Sequence, residues 1–392
     1  MDVIPVGALV VTLCAVVAVV PFRRPRLLAR LSWIVSNFPN ELPFVFLLVV
    51  VAPSIVSVLD GGRTDRDWIT LALTIVVIAA LAVVVVRALR TRRVMAAALD
   101  EVIGHGWRDA VALGDRPAES VLRRWVRILL VPIPIRPLSV RRTANVAYGD
   151  RGDEQLLDVY RHRSLPDGAP TLIHLHGGRF RWGRKSRESR ALLFRLAKHG
   201  WTCVSANYHL SPTPAAGYPT HLVDVKRLLA WARSDGAAHG IDPNVVVLAG
   251  SSAGAHLTAM AAFTANEPAL QPGFEEVDTS IVAGVCLGGY YGGLDGRDDS
   301  PTSPMSHHGP VPPFLVVHGR NDTYVAADGA RRLVEHLRRQ PAGIAAYAEL
   351  PGGQHGFDLF SSIRFEAVVD GIESFAAWVR SGQVASTNPA RR

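Results

Sequence analysis

Cysteine is scarce in this chain, and its placement excludes two kinds of stabilising site. The 392 residues contain three cysteines, Cys14, Cys203 and Cys286, and each lies within an apolar run. Three thiols in such positions provide neither a disulfide framework nor a metal-ligand set, and they are typical of a reducing compartment. We therefore expect no disulfide bonds and no metal site.

Charge is missing from three long stretches near the start of the chain. Residues 3–22, 42–59 and 68–86 contain no Asp, Glu, Lys or Arg. At about 1.5 Å per residue, each stretch approaches the roughly 30 Å hydrocarbon thickness of a bilayer. The pattern predicts three transmembrane helices, of which the second is interrupted by Pro43 and Pro53. Buried core helices are the weaker alternative, because such helices seldom lack charge on every face. A cleaved signal peptide is disfavoured because the charge before the first stretch is acidic.

A surplus of positive charge is absent from the larger part of the chain. Residues 1–142 hold 18 Lys and Arg against 10 Asp and Glu, whereas the remaining residues hold 24 of each. This balance argues against a nucleic-acid partner. Arginines cluster after the first and third uncharged stretches, at Arg23, Arg24, Arg26, Arg30, Arg87, Arg90, Arg92 and Arg93. By the positive-inside rule, they predict a multi-pass membrane protein whose C-terminal domain is cytoplasmic.

Composition divides the chain into four segments. We expect a membrane anchor in residues 1–93, an amphipathic helical linker or lid in 94–142, a folded domain in 143–382 and a flexible tail in 383–392. The linker is predicted to contain two helical pieces, and the second mixes arginines with large apolar side chains. That mixture fits an interfacial helix on anionic lipid, a lid, or an ordinary helix packed on the folded domain.

From residue 143 onward, short β-type runs alternate with helical segments. Predicted strands cover residues 145–148, 155–160, 171–175, 202–206, 245–249, 281–287, 314–317 and 345–349. Predicted helices cover residues 188–199, 220–234, 327–339 and 363–380, with one more after residue 252. The alternation predicts a mostly parallel eight-stranded sheet covered by helices on both faces. Ligands bind at the carboxyl ends of the strands in such sheets.

One stretch, V-V-V-L-A-G-S-S-A-G-A-H at residues 245–256, combines a strand, a tight turn and a helix. In a G-x-S-x-G turn the central serine, here Ser252, is held on a strained corner, and the flanking glycines remove side chains that would collide. The following helix directs its N–H groups and its positive end toward this serine, where negative charge develops during acyl transfer. Ser252 is therefore the predicted nucleophile, in preference to Ser251, which lacks this glycine spacing.

Consecutive glycines follow the third predicted strand, in the sequence His176-Gly177-Gly178. Glycines allow backbone N–H groups to approach a ligand oxygen closely. The N–H groups of Gly177, Gly178 and Ala253 are the predicted oxyanion hole.

Two more motifs follow the last predicted strands. Asp322 lies in the sequence H-G-R-N-D after one strand, and His355 lies in G-G-Q-H-G-F after the next. His355 is the predicted general base that takes the proton of Ser252, and Asp322 is the carboxylate that orients it. The order Ser, Asp, His along the chain is the order expected for an α/β-hydrolase.

Between about residue 143 and residue 380, the chain resembles the α/β-hydrolase carboxylesterases, near the hormone-sensitive-lipase-like and kynurenine-formamidase-like branches. The motifs that carry the resemblance are His176-Gly177-Gly178, Asn207-Tyr208 with Ser211-Pro212, Gly250 to Gly254 continuing to His256-Leu257, His318-Gly319 to Asp322, and His355-Gly356-Phe357. The resemblance implies the fold, the Ser252–Asp322–His355 triad and the same three oxyanion donors. Some bacterial members carry membrane anchors like the one predicted here.

Two positions depart from the lipase-like branch. Arg179 stands where that branch has a third glycine, and Ser251 stands where it typically has Asp. The H-G-x-x-D setting of Asp322 is closer to the formamidase-like branch.

Other residues compete for the catalytic roles. His256 is one helical turn beyond Ser252, and His307 and His308 lie in a proline-rich loop. Asp358 is the second candidate acid, and its place three residues after His355 favours a local capping role.

Together these features predict a membrane-anchored serine carboxylesterase or lipase that acts on small-molecule or lipid esters without a metal or organic cofactor. An amidase or aryl formamidase with the same triad is an alternative reading. A catalytically inactive hydrolase fold that serves as a membrane-tethered binding module is another.

Overall fold

A computed structural model describes residues 6–49, 64–104 and 120–382. The predicted tail at 383–392, the break between the two linker helices and most of the second uncharged stretch lie outside these residues.

Within the described residues, nine α-helices and eight strands are labelled in chain order. The helices are α1 (Val6–Val19), α2 (Arg26–Glu41), α3 (Asp65–Ile103), α4 (Val121–Leu130), α5 (Arg190–Lys198), α6 (Thr220–Ser234), α7 (Ala253–Phe263), α8 (Asp328–Arg338) and α9 (Ile363–Arg380). The strands are β1 (Val140–Ala147), β2 (Leu156–His162), β3 (Ala169–Leu175), β4 (Thr202–Ala206), β5 (Ile241–Ser251), β6 (Ala283–Leu287), β7 (Phe314–Gly319) and β8 (Ala345–Leu350).

The strands form one eight-stranded sheet in the order β1-β2-β4-β3-β5-β6-β7-β8. β2 pairs antiparallel with β1 and with β4. The six strands β4, β3, β5, β6, β7 and β8, in sheet order, run parallel to one another. The central strands are buried along their whole length because helices cover both faces, so they read as continuous apolar runs. The predicted mostly parallel eight-stranded sheet is confirmed.

Two apolar cores lie on opposite faces of the sheet. One packs α6, α7 and α8 against the sheet through residues such as Leu222, Leu257 and Leu333. The other packs α5 and α9 through residues such as Leu192 and Phe365. This arrangement leaves the carboxyl ends of the parallel strands to the loops that carry the predicted site.

The structure does not support three transmembrane helices. Helix α1 has 14 residues, which at about 1.5 Å each is short of the roughly 30 Å that a span needs. Within the described residues, one helix is long and apolar enough to cross a membrane: the stretch Asp67–Ile103, with a mean hydropathy of 3.1 in its most apolar window, of which 28% is buried. The expectation of three spans is thereby reduced to one candidate.

Helix α3 passes through the predicted segment boundary at residue 93 without interruption. Its first half exposes large apolar side chains such as Ile75 and Val76. Its last turns place Met95 and Leu99 in the core of the folded domain, beside α9. One continuous helix therefore belongs to two environments.

Helices α2 and α4 both pack on the folded domain. Arg124 and Arg127 of α4 form ion pairs with Asp370 and Glu366 of α9. At the end of α2, Glu41 forms a fully buried ion pair with Arg364. The helical N-terminal region is thus attached to the domain by buried charge as well as by apolar contact.

Candidate active site

Ser252 occupies the sharp turn between β5 and α7. Its backbone has φ 54° and ψ −110°, a strained conformation for a residue with a side chain. A Cβ added at Gly254 would lie 2.2 Å from the carbonyl oxygen of Leu175, so glycine is required for α7 to approach β3 this closely. The Ser252 N–H donates to the carbonyl of Leu287 at 2.8 Å, which fixes the turn to the end of β6.

The structure brings the three predicted triad residues together. His355 Nε2 lies 3.1 Å from Ser252 Oγ, and His355 Nδ1 lies 2.7 Å from Asp322 Oδ2. The other carboxylate oxygen of Asp322 accepts the backbone N–H groups of Tyr324 and Val325 at 2.9 and 2.7 Å. A serine, an imidazole and a carboxylate are therefore joined in a continuous hydrogen-bonded chain at the carboxyl ends of three strands.

The electrostatics of this chain favour a charged Asp322. Burial by itself would raise the pKa of the Asp322 carboxyl, but the charge of His355 and hydrogen bonds from His318 and His355 hold that pKa well below its usual range. Burial by itself would lower the pKa of His355, but the neighbouring carboxylate of Asp322, followed by Asp358 and Glu188, raises it above the ordinary value. The imidazole is thus a stronger base than a histidine in water.

The predicted oxyanion loop lies directly against Ser252. A Cβ added at Gly177 would lie 3.0 Å from the Cβ of Ser252, and one added at Gly178, where φ is 125°, would overlap the carbonyl oxygen of Trp182. The same added Cβ at Gly177 would lie 3.2 Å from Glu188 Oε1, so this carboxylate is also beside the loop. Glycine at position 177 therefore allows the loop to lie close to Ser252.

Ala253 is the first residue of α7. A helix has no carbonyl one turn earlier for its first N–H groups, so the Ala253 N–H is available to a ligand oxygen. It also lies at the positive end of the helix dipole. The third predicted oxyanion donor thus has the helix position that the role requires.

A buried polar network behind the nucleophile was not predicted from the sequence. Ser251 Oγ lies 2.9 Å from His174 Nε2 and donates to Asp358 Oδ2 at 2.5 Å. Ser189 Oγ donates to the same carboxylate oxygen at 2.7 Å, and Glu188 is buried beside it. Asp358 was expected to cap its own loop; in the structure it accepts hydroxyl groups from two distant segments. The absence of Asp at position 251 was the one sequence signal for this network.

The competing histidines have other partners. His256 is buried, with its Nδ1 3.0 Å from the carbonyl oxygen of Tyr290, and burial lowers its pKa to about 4. His307 Nε2 lies 2.9 Å from the carbonyl oxygen of Pro301, and the ring of His308 contacts that of His336. None of these three is hydrogen-bonded to Ser252.

Trp33, on α2, is a further residue that sequence reasoning did not connect with the site. Its Nε1 donates to the carbonyl oxygen of His355 at 3.0 Å, and its ring lies 4.6 Å from that of Tyr324. It falls in the segment predicted to be membrane anchor, so no pattern within the folded domain indicated it.

A mostly parallel sheet with a serine on a strained strand-to-helix turn, a histidine after the last strand and a carboxylate after the strand before it defines the α/β-hydrolase class. Solved structures agree on the fold. A truncated form of carbohydrate esterase from gut microbiota superposes with a TM-score of 0.53 at 21% identity, covering 60% of this chain and 96% of the other. Thermogutta terrifontis esterase 2 phosphoramylated by tabun gives a TM-score of 0.52 at 21% identity, covering 64% and 97%.

Sequence relatives define the family. Esterase LipQ of Mycobacterium tuberculosis is 34% identical over 394 residues, covering 91% of this chain and 87% of the relative. The probable carboxylic ester hydrolase LipM of the same organism is 33% identical over 426 residues, covering 98% and 96%. The BD-FAE family model matches residues 157–284. The chain belongs to this family of α/β-hydrolase carboxylesterases and is a carboxylic ester hydrolase.

Proposed function

We propose that this protein hydrolyses esters through a covalent acyl-enzyme, with Ser252 as nucleophile, His355 as general base and Asp322 as its orienting carboxylate. The observation that carries this proposal is the hydrogen-bonded chain from Ser252 Oγ through the His355 ring to Asp322. Within the family, Arg179 and Ser251 depart from the lipase-like branch, and the H-G-x-x-D setting of Asp322 favours a place closer to the formamidase-like branch.

In the first half of the reaction, Ser252 Oγ attacks the ester carbonyl carbon while His355 Nε2 takes the hydroxyl proton. The developing oxyanion accepts the N–H groups of Gly177, Gly178 and Ala253, and one such donor is typically worth about 2.7 to 4 kcal/mol of transition-state stabilisation. Glycine at 177 also lets the loop lie close to Ser252. His355 then donates the proton to the leaving alcohol.

In the second half, His355 removes a proton from water as the water oxygen attacks the acyl carbon. The imidazolium then donates that proton to Ser252 Oγ as the bond between Oγ and the acyl carbon breaks and the acid departs. Asp322 keeps the Nδ1–H of His355 in place and stabilises the imidazolium that forms in both halves.

We further propose that the enzyme is held at a membrane by the apolar half of α3, with α1 packed beside it. The support is the exposure of that half-helix and the arginines that follow it, Arg87, Arg90, Arg92 and Arg93. By the positive-inside rule these arginines favour a catalytic domain on the cytoplasmic side. A site so held would receive lipid or other amphiphilic esters.

The experiment that tests the nucleophile is labelling of the full-length protein by a fluorophosphonate probe. Wild type should be labelled at Ser252, and Ser252→Ala should lose both labelling and the hydrolysis of p-nitrophenyl esters. Ser251→Ala is the matched control, because it removes a hydroxyl one residue away and should leave Ser252 able to react. Labelling that survives in Ser252→Ala, or that disappears only in Ser251→Ala, would overturn the assignment.

A further inference from the structure

Helix α2 has two faces of opposite character. Ala29, Ser32, Ser36 and Asn40 recur at helical spacing and are buried against the catalytic domain. Leu27, Leu31, Ile34 and Phe38 recur on the opposite side and are exposed, Leu27 by 68% and Ile34 by 61%. Among the residues that the structure describes, the helix therefore carries an exposed apolar face, defined by these last four residues, with one ring contact between Phe38 and Phe46 at its end.

The buried face is bonded to both loops that hold the histidine and the carboxylate of the triad. In addition to the bond from Trp33 to the His355 carbonyl, Thr323 Oγ1 donates to the carbonyl of Ala29 at 2.8 Å. Gln354 Nε2 donates to Ser36 Oγ at 3.3 Å, and Gln354 Oε1 accepts the N–H groups of Thr323 and His355. Any partner of the apolar face is thus connected through one helix to the catalytic centre.

Side-chain contacts also connect α2 to the loop that follows β3. Beyond residue 138, within the described part of the chain, the exposed large apolar side chains are Trp182 and Tyr290. The guanidinium of Arg179 lies 6.0 Å from the ring of Trp182 and 5.9 Å from that of Tyr324, and the ring of Tyr324 contacts that of Trp33 of α2 at a tilt of 36°. A chain of ring contacts therefore leads from α2 to Trp182 across the loops around His355.

The surroundings of α2 identify what would cover its apolar face. The chain on either side of α2 leads to α1 and to residues 43–49, which pack against the apolar half of α3 through Ala15 and Phe46. Arg23, Arg24, Arg26 and Arg30 are exposed around the start of α2. Apolar side chains on one face of a helix with arginines beside them are the pattern of a helix that lies in the headgroup region of an anionic bilayer.

We propose that the apolar face of α2 inserts into the surface of an anionic lipid bilayer and seats the active-site entrance against it, so that the enzyme draws amphiphilic esters directly from that bilayer. This rests on the ester hydrolysis and membrane attachment proposed above. The occupant of the face is lipid, and the substrate class is an acyl ester dissolved in the same leaflet.

Two activities measured on one preparation test the proposal. The full-length enzyme is reconstituted into vesicles of phosphatidylglycerol and phosphatidylcholine that contain a fluorogenic diacylglycerol ester, and hydrolysis of soluble p-nitrophenyl butyrate is followed in parallel. The double variant Leu31→Asp/Ile34→Asp should lose at least tenfold in the rate on the bilayer-embedded ester and stay within twofold of wild type on the soluble ester. Equal losses on both esters, or none on either, would overturn the proposal. If wild type itself does not hydrolyse the soluble ester, the result contradicts the proposed function instead.

A second measurement does not depend on catalysis. In a Cys14→Ala background, where Cys203 and Cys286 are buried, an environment-sensitive fluorophore is attached at Ile34→Cys or, as the control, at Glu335→Cys on α8. Emission from position 34 should shift to the blue on transfer from detergent to anionic vesicles, and less on purely phosphatidylcholine vesicles, while position 335 should not respond. An unresponsive position 34 would contradict insertion. If instead the double variant turns a dimer into a monomer in light scattering, the face binds a second copy of this chain and the lipid assignment is wrong.

Discussion

The helical N-terminal region and the catalytic domain dispose their polar and apolar side chains in opposite ways. In the domain, leucine, valine and alanine fill two cores and the surface is charged. In α1, α2 and the first half of α3, large apolar side chains point outward, while Ser32, Ser36 and Glu41 are buried where α2 meets the domain. An apolar run therefore indicates that a segment is removed from water, but it does not distinguish a lipid bilayer from a protein core. Both environments favour the same side chains. Substitutions in either region, or at the contacts that join the two regions, can test this difference.

The largest effect is expected on the catalytic side. His355→Ala should lower kcat by on the order of 10⁴- to 10⁶-fold. The variant lacks both the base that takes the proton of Ser252 and the acid that protonates the leaving alcohol. Soluble ester kinetics on detergent-purified protein measure the loss, and circular dichroism checks that the fold is retained. A folded variant with more than a tenth of wild-type kcat would rule out His355 as the base.

Asp322→Asn should lower kcat by about 10⁴-fold and also change its pH dependence. The base must be neutral to act, so kcat/KM of wild type should fall as the pH decreases through the pKa of His355, which Asp322 holds above the ordinary histidine value. Without that carboxylate charge, burial remains and lowers the histidine pKa, so the acidic limb should move to lower pH. A pH–rate profile that keeps its acidic limb in place would contradict the pairing.

The contact between the two regions can be broken at the buried ion pair. Glu41→Gln should destabilise the full-length protein by about 3 to 5 kcal/mol, because it leaves the buried Arg364 charge without its partner. Glu41→Leu combined with Arg364→Met should recover much of that loss. Denaturant unfolding in detergent measures the free energy of unfolding of both variants. A double variant less stable than Glu41→Gln would show that the ion pair itself, and not the unpaired charge, accounts for most of the lost stability.

Helix α3 allows the contrast to be measured within one element. Leu99 is 1% exposed in the core of the domain, and Leu89, on the same helix, is 49% exposed. Leu99→Ala should cost about 2 to 5 kcal/mol through lost burial and the cavity that remains, whereas Leu89→Ala should stay within about 0.5 kcal/mol in detergent. Similar losses at both positions would mean that the helix has one environment along its length.

Much of the catalytic domain was predictable because its local and global signals agree. Strands β3 to β8 were recognised as short apolar runs between helical segments, and the G-S-S-A-G turn marked the position of Ser252. The ends and the surroundings of the helices in the uncharged stretches could not be predicted in the same way. Apolar composition alone does not reveal that α1 ends at Val19 or that α3 continues to Ile103 into the core.

The network behind Ser252 was beyond sequence reasoning for another reason. Ser189, Ser251 and Asp358 come from three separate segments, and the departure from Asp at position 251 does not indicate which residues Ser251 contacts. The same holds for Trp33, more than 300 positions before its partner His355. Contacts of this kind depend on the full chain trace, which periodicity does not provide.

Because α3 is uninterrupted, it fixes the distance and the rotation between any two positions along it. Arg87, which donates to the carbonyl of Val19 at 2.7 Å, lies 12 residues before Leu99, a distance of about 18 Å along a helix. The helix thereby sets both the height of the domain over the arginine-rich boundary and its rotation about the helix axis. One residue inserted between these positions would raise the domain by about 1.5 Å but turn it by about 100°. The direction in which the catalytic entrance points is therefore encoded more strictly by the length of this segment than by its composition.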